Sequence, residues 1–389
     1  MRFHTQSEIK KVGRATTLRA AGRLVIDTHG HITTLYGPKG ARAEENFRKG
    51  LWNGLPSAPE DGEVEPFENT ALCLYDMQRY GVDMLLLKPS MPGTTNESQA
   101  AIVEKYPDKF RAFCCDLKCR LKIARGEARF NRDDSADEVE KALKTGKFIG
   151  IGEFCPRDWS RDRYYSFEER LEDYRTFAEL ARKYGVTMDF HEFAWEYEWD
   201  TYKLLHRIAR EYPDVMFILC HGSYSIGDYT YGSDRIKKAC NLLTWHNNIV
   251  METGTWPAEY YEIAIKDPNV GVTQLMFGTD YGHVPQYIMM NPRGDPRTFT
   301  SAMKRFPAVP HYQVDWWGWA LHQIDKIRDY VTQDEINLIL GGNAARIWRL
   351  PVPYERMFLS GRPDIFGVNW QQSVPYIPKE QVKHPDSEG

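Results

Sequence analysis

From residue 68 onward the chain alternates two kinds of segment. One has apolar residues at helical spacing; the other is a short run that is apolar at nearly every position. NTALCLYDMQRYG, stopped by Gly81, gives way to VDMLLLKPS, which is ended by a proline. The pairing recurs as SQAAIVEKYP with RAFCCDL, DEVEKALKTG with FIGIGEF, FEERLEDYRTFAELARKYG with VTMDFHE, DTYKLLHRIAREYP with VMFILCHGS, DRIKKACNLLTW with IVMETG, and AEYYEIAIKDPN with TQLMFGTDYG. With LVIDTHGH as the first, there are eight strands. Strands that are apolar along their whole length and separated by helices belong to a parallel sheet covered on its faces. Eight such units predict a closed (β/α)8 TIM barrel, the alternative being a doubly wound open sheet.

Two more helical stretches, WALHQIDKIRDYV and TQDEINLILGGNAARIW, follow the eighth strand, so the barrel domain is expected over 1–350. The tail 351–389 is rich in Pro and aromatics without periodicity and is too apolar for a typical disordered linker. It is expected to pack on the barrel or on a neighbouring subunit. Residues 33–67 form a long Gly- and Pro-rich connection after the first strand. Unstructured stretches of that length are usually functional, and on a barrel this one sits on the catalytic face, as part of a lid or substrate pocket.

The composition, 42% hydrophobic and 27% charged, is that of a soluble globular protein with ample material for a core. A net charge of -4 with scattered Lys and Arg carries no electrostatic footprint for nucleic acid. No window approaches the about 18 apolar residues of a membrane span, and the N-terminus is polar without an apolar signal core. No membrane partner and a cytoplasmic location are expected. The seven cysteines are odd in number and lie mostly in apolar runs, which suits reduced buried thiols. Cys115 and Cys119 frame a CxxxC with no second pair at structural-zinc spacing. GGNAAR follows a helical run rather than opening one after a strand, so it reads as a packing element and not as a phosphate loop.

The strand ends carry the candidate chemistry. Strand one ends on Asp27, His29 and His31, strand four on Glu153, strand five on His191, strand six on His221 and strand eight on Asp280. Alternate residues of a strand share a face, so Asp27, His29 and His31 are expected to point the same way and aim two imidazoles at one point. Taken singly, each residue has an ordinary explanation: a buried hydrogen-bonded histidine, a paired glutamate, an Asx turn. Jointly, ligand-type residues at the same place on five of eight strands converge on the mouth where barrel enzymes keep their chemistry. Four histidines and two carboxylates mix nitrogen and oxygen donors, which suits zinc, manganese or ferrous iron better than calcium.

With these motifs the sequence resembles the metal-dependent amidohydrolase superfamily, in particular its amidohydrolase-2 branch, which contains amino-carboxymuconate-semialdehyde decarboxylase and aromatic-acid decarboxylases as well as hydrolases. The resemblance spans residues 22–350 and rests on DTHGH, DFHE, CHGS, FGTDYG and LGGNAARIW together. It implies that His29 and His31 bind one metal with Asp280 close by, that Asp280 also accepts a proton from metal-bound water, and that His191 is a further ligand. His221 is a second-metal ligand in binuclear members and a catalytic histidine in mononuclear ones. GIGEF looks like the version in which a carboxylate, here Glu153, bridges two metals; Asp27 is expected to orient or support.

Three reactions are compatible with that set. The first is hydrolysis through metal-activated water at a binuclear site, zinc being the expected metal, with manganese or iron as alternatives. The second is non-oxidative decarboxylation of an aromatic or unsaturated acid with one metal. The third is di-iron oxygen chemistry. Aromatic residues crowd the expected mouth: Phe154, Trp159, Phe193, Trp195, Tyr197, Trp199, Tyr224, Trp256 and Tyr281. So dense a ring suits a small, flat or hydrophobic substrate, with Arg157, Lys88 and His283 as candidates for holding its carboxylate or hydroxyl. A small-molecule substrate and a homo-oligomer are the expected partners.

Overall fold

Each of the eight expected strands forms, and each pairs with the next in chain order. The computed structural model describes residues 24–32, 34–38, 64–68, 70–89, 94–124, 127–155, 166–191, 194–223, 232–254, 256–268, 270–281 and 316–350. Strand β1 (Ile26–Gly30) is followed by an antiparallel pair, β2 (Thr34–Pro38) and β3 (Val64–Glu68), and then by β4 (Met84–Leu87), β5 (Phe110–Cys114), β6 (Phe148–Ile151), β7 (Thr187–Phe190), β8 (Phe217–Leu219), β9 (Ile249–Glu252) and β10 (Leu275–Met276). The large sheet runs β1-β4-β5-β6-β7-β8-β9-β10, parallel throughout. Its two ends meet: Gly30 bridges Tyr281, Thr28 N–H donates to Phe277 O at 2.9 Å, and His31 N–H donates to Tyr281 O at 2.6 Å. The architecture is a (β/α)8 barrel.

The helices between the strands are α1 (Thr70–Tyr80), α2 (Asn96–Lys105), α3 (Leu117–Ala124), α4 (Arg132–Leu143), α5 (Phe167–Tyr184), α6 (Ala194–Glu211), α7 (Gly232–Trp245) and α8 (Ala258–Lys266). Helix α5 shows how local chemistry sets their limits. Ser166 and Glu169 form a reciprocal capping box at its start, and Gly185, at φ 64°, ends it in the left-handed conformation that glycine adopts without a Cβ clash. Helix α3 is an addition to the expected order, placed between β5 and α4. After β10 come α9 (Trp316–Lys326), α10 (Gln333–Asn337), a π turn (Leu338–Gly342) and α11 (Asn343–Trp348).

Alternation along the strands divides the core in two. Leu24, Ile26, Met84, Leu86, Met216, Ile218, Val250 and Met276 belong to one buried cluster, which fills the barrel and includes Ala344 and Ile347 of α11. Val25, Leu85, Leu87, Phe217, Leu219, Ile249, Met251 and Leu275 belong to the other, between sheet and helices. The π turn closes the N-terminal end of the barrel. Asn343 donates to the carbonyls of Val272 and Leu275 at 2.8 and 2.7 Å, and a Cβ on Gly341 would collide with the Leu24 carbonyl. The GGNAAR segment is thus a packing element, as its context in the sequence implies.

The 33–67 connection departs from expectation in one respect. Its two ends pair in register from Thr34 with Glu68 to Pro38 with Val64, so it is a β-ribbon at its base rather than a structureless loop. It leaves from the C-terminal end of β1, the mouth side. Residues 39–63 and the tail 351–389 lie outside the described residues. Among the described residues no helix is long and apolar enough to cross a membrane.

Candidate metal centre

The interior of the barrel is layered. Above the aliphatic layer of Leu86, Ile218 and Val250, the next inward positions are Lys88, Asp189, Cys220 and Glu252, all buried. Above these, at the mouth, stand His29, His31, Glu153, His191, His221 and Asp280. His29 draws His31, His191 and His221 around it, with ring centroids 5.2, 6.0 and 4.5 Å away.

Strand β1 reaches this arrangement by breaking its own alternation. Ile26 faces the barrel interior, so Asp27 faces the helical layer, where its carboxylate accepts from Trp317 Nε1 at 2.6 Å and from the Thr279 N–H at 3.1 Å and hydroxyl. The pairing register with β4 shifts between Asp27 and Gly30. A bulge inserts one residue and re-aims the side chain that follows, so His29 and His31 turn inward while Asp27 does not. The expectation that all three share a face is therefore corrected: Asp27 clamps β1 to the end of β10 and to α9, and burial raises its carboxyl to about 6. Its support of the histidines is through the backbone, by accepting from His29 N–H at 3.0 Å.

Two groups of donor atoms can be distinguished within the mouth. One is His29, His31 and Asp280; the other is His29, Glu153, His191 and His221; within each group, one donor atom per residue lies within 4.8 Å of all the others. His31 Nε2 lies 2.9 Å from Asp280 Oδ1, and His191 Nε2 is in contact with Glu153 Oε1. Three buried atoms of these residues, His29 Nε2, Glu153 Oε2 and His221 Nδ1, make no hydrogen bond among the described residues. Buried polar atoms are ordinarily paired. Orphaned nitrogen and oxygen donors converging on one point fit a divalent metal of the zinc, manganese or iron kind.

Close pairs within the cluster set its charges. Burial opposes a charge on Glu153, but His191 and His31 outweigh it and hold the carboxyl well below its ordinary value. Burial likewise opposes a charged His29, yet Glu252 holds its pKa well above the usual one. His221 is pushed down to about 4 by burial, which leaves its ring neutral and its nitrogen able to act as a ligand or hydrogen-bond partner. His221 and Asp280 both have left-handed backbones, φ 54° and 58°. Such conformations cost about 1–3 kcal/mol at non-glycine residues and concentrate at functional sites.

Several supports stand behind the cluster, and of these the sequence marked only Lys88, for a different role. Glu252 Oε2 lies 2.5 Å from His29 Nδ1. Lys88 carries two roles: its carbonyl accepts from His31 Nδ1 at 2.7 Å, and its Nζ pairs with Asp189 Oδ2 at 2.5 Å. Burial works against a charge on Lys88, but Asp189 more than restores it and raises its pKa. The Lys88 Nζ is taken up by Asp189 in the layer beneath the candidate ligands, which corrects the expectation that it meets a substrate carboxylate. Arg120, itself paired with Asp116 at 2.7 Å, donates to the carbonyls of Glu153 and Cys155 at 3.5 and 3.2 Å and so grips the backbone around Glu153. The signal in the sequence was the first polar inward position of a strand, as in LLLK, TMD and VME.

Of the expected substrate contacts, Trp256 and Tyr281 are buried and engaged elsewhere. Trp256 Nε1 donates to the His221 carbonyl at 3.0 Å, and Tyr281 stacks on Trp317 at 4.3 Å while its hydroxyl donates to Asp76. These contacts make them buttresses of the His221 and Asp280 turns. Phe154 packs against Phe177 and Tyr174 behind the sheet. Trp195, Tyr197 and Trp199 fall on helix α6; Arg157, Trp159, Phe193, Tyr224 and His283 lie outside the described residues.

No curated protein matches the chain. Among solved structures, it resembles a probable 2-pyrone-4,6-dicarboxylic acid hydrolase of Acinetobacter baumannii with bound citric acid, at 13% identity over 84% of this chain and 99% of that one, TM-score 0.49. A dihydroxybenzoic acid decarboxylase of a Polaromonas species with bound manganese and 2-nitroresorcinol gives 15% identity over 86% and 99%, TM-score 0.49. An amidohydrolase of Burkholderia multivorans with bound zinc gives 13% identity over 84% and 100%, TM-score 0.47. The sequence profile of one family, Amidohydro_2, matches residues 26–350, from β1 to just past α11. By that match, which covers well over half of its length, the chain belongs to the amidohydrolase family.

Proposed function

We propose that this protein is a metal-dependent hydrolase of a small aromatic or hydrophobic molecule, working with two divalent ions at the barrel mouth. The observation that carries the reading is the place of Glu153. Its Oε1 is in contact with His191 and 3.7 Å from His29 Nε2, and its Oε2 is 3.7 Å from His31 Nε2. One carboxylate thus stands between the His29, His31, Asp280 group and the His191, His221 pair, where a bridging ligand belongs. Divalent ions bound there would supply an acidified water and a polarised substrate oxygen. His29, His31, Glu153, His191, His221 and Asp280 are the proposed ligands. Asp280 takes the proton of the attacking water and passes it to the leaving group. His221, neutral in its buried turn, is available as a ligand in this reading and as the catalytic histidine in a one-metal site. Trp159, Trp195, Tyr224, Arg157 and His283, with the ribbon-based 33–67 segment as a lid, are proposed to enclose the substrate.

A second reading, decarboxylation of an aromatic or unsaturated acid, is favoured by a different observation. His29, His31 and Asp280 form a complete group without Glu153, so one ion suffices and His221 is left to deliver a proton to carbon. The deciding experiment is metal content by elemental mass spectrometry on protein purified without added metal, wild type against Glu153→Ala, with a panel of aromatic esters, lactones and carboxylic acids assayed for hydrolysis and for CO2 release. About two ions per chain falling to about one in the variant, with hydrolysis, supports the two-metal hydrolase. One ion in both proteins, with CO2 release, overturns it in favour of the decarboxylase.

A further inference from the structure

The two histidines of the β1 motif are held in different ways. Each presents Nε2 to the cluster, and each has its Nδ1 engaged behind it. Behind His31 stands a neutral acceptor, the Lys88 carbonyl at 2.7 Å. Behind His29 stands a carboxylate, Glu252 Oε2 at 2.5 Å, with neither side chain exposed to solvent. The second oxygen of Glu252 is not spare: Oε1 accepts the Gly254 N–H. The surroundings are shaped to this carboxylate, because a Cβ on Gly278 would fall onto Glu252 Oε1. His29 Nε2, at the other end of the ring, lies 3.7 Å from both Glu153 Oε1 and Asp280 Oδ1 and makes no hydrogen bond among the described residues.

We propose that Glu252 is a positioning residue for the metal centre: by fixing the Nδ1 proton of His29 and the angle of its ring, it commits Nε2 to the metal and makes His29 a stronger donor than His31. The inference rests on the metal-centre reading above and adds the residue that sets its affinity. A carboxylate accepting the far N–H of a ligating imidazole fixes the tautomer and raises the basicity of the other nitrogen, and losing such a partner typically lowers metal affinity by about 10- to 100-fold. A glutamine at this position cannot replace it. Two N–H donors, from His29 and Gly254, face one side chain that has a single acceptor oxygen left.

The test is zinc affinity by competition with a fluorescent chelator, on the full chain, for wild type, Glu252→Gln and Gly278→Ala. The second variant keeps the carboxylate but crowds it away from His29. The thermal midpoint and far-ultraviolet circular dichroism of the metal-free proteins are recorded alongside. The expected result is that both variants bind zinc about 10- to 100-fold more weakly than wild type while their metal-free midpoints stay within a few degrees of its own. Wild-type affinity in Glu252→Gln overturns the role of Glu252 and leaves the metal centre standing. An affinity loss matched by loss of the metal-free fold in both variants also overturns it, assigning Glu252 to structure alone. Absence of zinc uptake by the wild-type protein overturns the metal reading itself, and this inference with it.

Discussion

Lys88 Nζ lies 2.5 Å from Asp189 Oδ2 in the middle of the barrel, and neither side chain is exposed to solvent. The pair joins β4 and β7, three strands apart around the barrel, beneath the candidate ligands. Gly152, which precedes Glu153, has no room for a Cβ because Asp189 occupies it. Removing one member of a buried pair leaves an uncompensated charge in an apolar interior. Lys88→Met is therefore expected to destabilise the protein by about 3–5 kcal/mol, and Lys88→Met with Asp189→Leu by much less than the two single changes added. Urea unfolding of the four proteins of this cycle measures the coupling; additive losses would show that the pair does not act as a unit.

The His221 turn predicts a second outcome. Gly254 has φ 40°, and a Cβ there would overlap His221 Nδ1. Gly254→Ala should displace the His221 ring. Under the two-metal reading, the variant retains about one ion per chain. Elemental analysis after dialysis, beside circular dichroism, checks this; an unchanged metal content would remove His221 from the ligand set.

A third expectation concerns pH and lies away from the centre. Arg175 on α5 donates to both oxygens of Glu211 on α6, Nε at 2.7 Å and Nη2 at 2.8 Å, and this lowers the Glu211 pKa from its ordinary 4.5. The folded state binds this proton less readily than the unfolded chain does. The contribution is therefore fully present above pH 4.5 and is lost as pH falls through the lowered folded value. Both side chains are about 30% exposed, so solvent screening limits the effect to about 0.5–1 kcal/mol. Glu211→Gln should be less stable than wild type at pH 7 by that amount and indistinguishable from it in strong acid. A difference between the two proteins that persists unchanged from pH 7 to strong acid would contradict the assignment.

The sequence carried the barrel because its evidence is local. Runs such as MLLL and FIL are apolar at successive positions, which only a sheet buried on both faces can use, and helix-period segments separate them. The same locality made six of the mouth residues legible, since each stands where an apolar strand stops. Helix α3 and the β2–β3 ribbon escaped for the converse reason. LKCRLKIA is short, and the ribbon is held by pairing between residues about 30 positions apart.

What the sequence determined by itself is therefore the periodicity, the order of elements and the positions at which polar groups end the strands. The direction each of those groups faces was decided only in the tertiary structure. Alternation alone places Asp27 with His29, and the register shift in β1 separates them, because hydrogen bonds from Thr279 and Trp317, distant in the chain, capture the Asp27 carboxylate. Lys88 read as an available cation until Asp189, 101 residues away, neutralised it. Glu252 read as the end of one more strand until closure of the barrel brought it 2.5 Å from His29. Burial and pairing depend on which distant residue arrives, and that is settled by the geometry of the closed sheet rather than by neighbours along the chain.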